Sequence, residues 1–132
     1  MIPVTQTRVG QNGNCFNACI ASILEISLSA VPEFPGDGYE FYDAVNRFLA
    51  RYGLYYYVVG ADDPDIEHVF RDGDTYHTVE GTSPRGGPHA CVGLNGRIVH
   101  DPHPQDDTGR GLDVVENYGL FGSRMTTGVH RS

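Results

Sequence analysis

His89-Ala90-Cys91-Val92-Gly93-Leu94-Asn95-Gly96-Arg97-Ile98-Val99-His100-Asp101-Pro102 contains two apolar stretches with only Asn95-Gly96 between them. Asn-Gly accepts positive φ at both central positions, as a two-residue hairpin turn requires. The stretch therefore predicts two antiparallel strands, one opened by His89 and one closed by Asp101. Pro102 and Pro104 lack ladder donors and end the second strand. In a regular register Leu94 pairs with Arg97, Val92 with Val99, Cys91 with His100 and Ala90 with Asp101. His89 then lies diagonal to Asp101, one position off, and a bulge or slip of one residue is expected to set the two directly opposite. Side chains of adjacent strands interact at this range. Asp101 is therefore a candidate acceptor for the His89 ring, fixing its tautomer and supporting its charged form.

A partner for that pair lies far upstream. Gly10-Gln11-Asn12-Gly13 reads as a turn, and Asn14 as the N-cap of a helix that runs from Cys15 to about Ile26. Phe16, Cys19, Ile20, Ile23, Leu24 and Ile26 form its apolar stripe. Cys15 sits in the first turn, where the positive end of the helix favours a thiolate. First-turn amides have no helical partner, so the Cys15 N–H is a candidate oxyanion donor. A side-chain amide upstream would be the second. Gln6 and Gln11 are both available, and Gln6 is preferred because the arm that carries it can fold back over the site.

The rest of the chain supplies a scaffold. Ser27 to Pro35 is broken by Pro32 and Pro35. A second helix is expected from near Tyr39 to Tyr52, with Gly53 as its C-cap. Leu54 to Val59 is aromatic and β-branched and predicts a strand. Residues 60–75 are acidic and irregular, with a short helix around Ile66–Phe70. Tyr76 to Glu80 predicts a strand, Thr82 to Pro88 a loop, 105–111 a polar loop, 112–121 a last strand and 122–132 a loose tail. Helices come first and mostly antiparallel strands follow, which is an α+β plan.

Composition narrows the function classes. A chain of 132 residues suits one domain with one core. Nine basic and seventeen acidic residues give a formal charge of −8. That balance favours solubility and argues against binding duplex nucleic acid, which needs a basic surface. No run of about eighteen apolar residues predicts a membrane span, and Met1 to Gln6 lacks the features of a signal peptide. A cytoplasmic protein is expected. Three cysteines, an odd number, argue for thiols rather than a disulfide framework. Cys19 and Cys91 read as core thiols, and His68, His77 and His130 carry no pattern. His100-Asp101-Pro102-His103 with His89 and Cys91 offers zinc-type ligands, but the prolines restrict the strand end, and neither a metal nor a cofactor is expected. Gly10–Gly13 and Arg85-Gly86-Gly87 lack the Lys-Ser/Thr of a phosphate-binding loop.

Cys at a helix start, His at a strand start and Asp-Pro at the end of the next strand resemble the papain-like cysteine hydrolases. The branch that includes the double-glycine leader peptidases is the most similar, on Gln6, Cys15, His89, Asp101 and Pro102. Asn12-Gly13-Asn14-Cys15-Phe16 is also similar to the Asp-Gly-Asn-Cys-Leu-Phe signature of ovarian-tumour deubiquitinases. The chain also resembles small phage and bacterial members of the superfamily. The resemblance covers about residues 6–26 and 87–104. It implies a papain-like α+β fold and a Cys15–His89–Asp101 triad with Gln6 at the oxyanion. It further implies a hydrolase of peptide, isopeptide or amide bonds whose partner is a peptide or protein substrate. The alternative from another class is a non-catalytic binding protein on the same fold, for example a phage-encoded inhibitor of a host protein.

Overall fold

The computed structural model describes residues 1–71, 74–104 and 111–124, the side chain of Gln11 excepted. The expected loop over 105–110, the tail from 125 to 132 and His130 lie outside the described residues. The first helix, α1, spans Cys15–Leu24. It stops two residues short of Ile26 because Glu25 adopts a left-handed conformation at φ 59°. The second, α2, spans Gly38–Leu49 and tightens into a 3₁₀ turn over Ala50–Tyr52. Gly53, at φ 71°, ends it as a left-handed cap. Strand β1 follows at Leu54–Gly60, and a single helical turn, α3, at Ile66–Val69.

Strands β2 (Tyr76–Thr82), β3 (Pro88–Leu94), β4 (Arg97–His100) and β5 (Val114–Ser123) complete one antiparallel sheet in the order β1-β5-β2-β3-β4. The last strand is longer than its sequence suggests. Residues 122 and 123 belong to β5, not to a tail, because Leu54 pairs with Ser123 and Tyr55 with Gly122. Arg124 is held beyond the strand, its N–H donating to Gly53 O at 2.8 Å.

Helices α1 and α2 cover one face of the sheet. Ile20 and Ala21 of α1, Val45, Phe48 and Leu49 of α2, and Tyr56 of β1 form the main core. Cys19 packs on Ala90 and Val92 of β3, with Cys15 at the edge of that cluster. Alternation along β3 sends Cys91 to the other face, where it packs with Val79 and Leu112 and against Ile98. The fold is thus α+β with a five-stranded antiparallel sheet. No helix among the described residues is long and apolar enough to cross a membrane.

Candidate active site

The turn of the hairpin forms as its sequence dictates, with Asn95 at φ 51° and Gly96 at φ 89°. The register beyond it does not stay regular. Leu94 pairs with Arg97 and Gly93 with Ile98, but Val92 pairs with His100. Val99 is the extra residue of a β-bulge. This corrects the expected pairs of Val92 with Val99 and Cys91 with His100. The expected benefit of a bulge is also corrected. It does not set His89 opposite Asp101. Continued one step, the shifted register puts Asp101 across from Cys91, with His89 two residues away on the same face. In the regular register Asp101 would have faced Ala90, on the face that meets α1. The bulge therefore turns Asp101 toward His89, whose Nε2 lies 2.7 Å from Asp101 Oδ1. The side chains are 5% and 4% exposed. With Nε2 donating to the carboxylate, Nδ1 is the ring nitrogen left for a thiol.

Cys15 is the first residue of α1 and is half-buried. Asn14 precedes it, but its side chain does not cap the helix. Its Oδ1 instead accepts the backbone N–H groups of Thr7 and Arg8 at 3.0 and 2.9 Å, and its Nδ2 donates to Thr7 Oγ1 at 3.0 Å. Asn14 thus staples the N-terminal arm to the helix start and does not itself cap the first-turn amides. The arm is fixed at two further points. Gln6 N–H donates to Pro102 O at 2.9 Å, and His100 Nε2 donates to Val4 O at 2.7 Å. Helix start, arm and the end of β4 are thereby locked together.

The electrostatics favour a charged imidazole. Burial works against the charge of His89. Hydrogen bonds to Asp101, Cys15 and Cys91, and the charge on Cys15, outweigh it and push the ring up to about 11. Asp101 is the counterpart. Burial would raise its carboxyl, but the His89 hydrogen bond, the His103 N–H and the charges of His89 and Arg85 hold it below the usual range. The His103 N–H donates to the same oxygen, Oδ1, at 3.0 Å. Asp101 Oδ2 is buried with no partner.

Two cavities meet at Cys15 and His89. One, of about 530 Å³, is rimmed by Gly10, Arg85, Gly86, Gly87 and His103. At Gly10, Gly86 and Gly87, all at positive φ, a Cβ would meet nothing within 4 Å, so the space beside these lining glycines is open. The other, of about 390 Å³, is lined by Phe16, Phe41, Glu80 and Asn117. Glu80 is fixed there by Tyr56 Oη and by Thr78 Oγ1 at 2.9 Å. Neither Glu80 nor Asn117 carries a sequence motif. Glu80 lies on a predicted strand, and the approach of Asn117 depends on β5 pairing with β2.

Gln6 is buried, and its Nε2 donates to Arg8 O at 2.8 Å. It does not line either of these cavities. Cys19 is a core thiol, as expected, but Cys91 is more than that, since its buried thiol reaches the His89 ring. The metal grouping read around His100 also changes, because His100 is committed to Val4 O. Among the described residues, His89, Cys91 and Asp101 are the group whose ligand atoms all lie within 4.8 Å of one another. Comparison with known protein families, curated proteins and solved structures gives no match.

Proposed function

We propose that this chain is a papain-like cysteine hydrolase that cleaves peptide, isopeptide or amide bonds of a peptide or protein substrate in the cytoplasm. The observation that carries this is the 2.7 Å His89–Asp101 pair, placed beside a half-buried thiol at a helix start. In the proposed cycle the Cys15 thiolate attacks the substrate carbonyl carbon, with His89 as the imidazolium. The carbonyl oxygen becomes an oxyanion, stabilised by the Cys15 N–H; Gln6 can join it only by giving up its bond to Arg8 O and turning toward the cavity. The tetrahedral adduct collapses. The C–N bond breaks, His89 gives its Nδ1 proton to the leaving amine, and a thioester remains on Cys15. A water then gives a proton to His89 and its oxygen to the thioester, which releases the acid and restores the thiolate. Asp101 accepts the Nε2 proton's hydrogen bond throughout and holds the ring in one tautomer.

The test is a panel of acyl-transfer probes, peptidyl and ubiquitin-type electrophiles, applied to the wild type and to Cys15→Ala. Labelling of Cys15 by at least one probe, absent in Cys15→Ala and in His89→Ala, is expected. A folded wild type that no probe labels above the rate of free thiol would point instead to a non-catalytic binding protein.

A further inference from the structure

We propose that His89, Cys91 and Asp101 form an inhibitory site for a soft divalent cation, with zinc as the ion of choice. The three residues come from the start of β3 and the end of β4. The bulge at Val99 that turns Asp101 toward His89 also puts it across from Cys91. Their ligand atoms lie within 4.8 Å of one another, so small side-chain shifts bring them to one ion. The set is an imidazole, a thiol and a carboxylate, the ligand types zinc takes in tetrahedral sites. A thiolate disfavours magnesium and calcium, which take oxygen ligands.

A second observation points the same way. Asp101 Oδ2 is buried and has no partner, on a side chain that is 4% exposed. Its companion oxygen already takes two donors, His89 Nε2 and the His103 N–H. A buried carboxylate oxygen without a donor is costly, and an ion held between the carboxylate and Cys91 would satisfy it. Cys91 has no step in the hydrolytic cycle, and it is fully buried. The fourth ligand is left to water entering from the cavity that His89 lines.

Binding and hydrolysis exclude each other. The ion takes the lone pair of His89 Nε2, the nitrogen beside Asp101, and displaces two protons to solvent, one from the Cys91 thiol and one from Nε2. The ring is then tied to the ion instead of to the Asp101 carboxylate, which removes the support for its charged form beside Cys15. Inhibition rests on the hydrolase reading, but ion binding does not, and the two are measured separately.

The experiment titrates zinc and cobalt(II) against the full chain by competition with a chromophoric chelator. Cobalt also reports a thiolate charge-transfer band. One ion per chain is expected in wild type and in Cys15→Ala, with the thiolate band in both. Affinity should fall by more than the about 10–100-fold typical of outer-shell changes in Cys91→Ala and in Asp101→Asn. Probe labelling of Cys15 in wild type should be blocked by zinc and should persist with zinc in Cys91→Ala. Absence of the cobalt band in Cys15→Ala, or no zinc binding to wild type at micromolar concentration, would overturn the site. The first result would place the ion on Cys15, and neither depends on a buried variant folding.

Discussion

Asp101 and Asn14 show how single side chains organise the candidate site. Asp101 fixes the His89 ring and its charge, so Asp101→Asn should lower the rate by about tenfold to thousandfold. That is less than the about 10⁴-fold of a serine triad, because a thiol is the more intrinsically reactive nucleophile. Steady-state kinetics with the best probe-derived substrate measure it, and an unchanged rate would leave a Cys15–His89 dyad. Asn14 ties the arm to the helix start through three hydrogen bonds. Asn14→Ala leaves the Thr7 and Arg8 amides unpaired and should cost about 2–3 kcal/mol in urea unfolding. Sequence alone brought out Cys15, His89 and Asp101, since each stands at an element boundary marked by Gly, Pro or Asn-Gly. It could not bring out the role of Asn14. An Asn before a helix reads as a cap, and only the arm folding back gives its oxygen two other amides.

The β3–β4 hairpin carries the decisive geometry. Its turn was legible because Asn95-Gly96 states the required φ values. Its bulge was not, because Val99 is an ordinary strand residue and nothing local marks it as unpaired. Val99 is 46% exposed. Deleting it joins Ile98 to His100 without changing the pairs on either side, so Asp101 still faces Cys91 and reaches His89. The deletion variant should therefore keep its fold and lose less than about tenfold in rate. In a hairpin without the bulge, the same deletion would turn Asp101 to the opposite face. A folded deletion variant with a thousandfold loss would contradict the bulged register.

Over the whole molecule, the sheet order follows from contacts distant in sequence. Most strands could be located, yet nothing local tells β5 to insert between β1 and β2. Gly81 sits where β2 and β5 slip register, and a Cβ there would lie 1.8 Å from Val114 O. Beneath that sheet, His77 is fully buried. Its Nδ1–H donates to Thr78 O at 3.0 Å, and its Nε2 accepts the Gly96 N–H at 2.9 Å. The ring must be neutral to do both, and burial lowers its pKa below 6.5 despite the Thr78 carbonyl. His89 carries the opposite sign. Its folded value of about 11 stands above the unfolded value of about 6.5. The His89 contribution is complete below pH 6.5 and is lost as pH rises from 6.5 toward 11. The His77 contribution is complete above pH 6.5 and is lost as pH falls below it, because the unfolded chain then binds a proton the folded chain refuses. Urea midpoints should therefore fall on both sides of about pH 6.5. His77→Gln should flatten the acid side and Asp101→Asn the alkaline side. A midpoint in His77→Gln that falls with acid as steeply as in wild type would remove His77 from this balance.

The central claim is that Cys15 is the reactive thiol, accessible at the helix start beside His89, while Cys19 and Cys91 are shielded. Brief alkylation with iodoacetamide at pH 6, followed by mass mapping of all three cysteines, tests it most directly. Cys15 should be modified at least about a hundredfold faster than either of the others, because attack requires an accessible thiolate. Its rate should drop in His89→Ala. Equal labelling of the three thiols, or modification of Cys91 before Cys15, would contradict the claim.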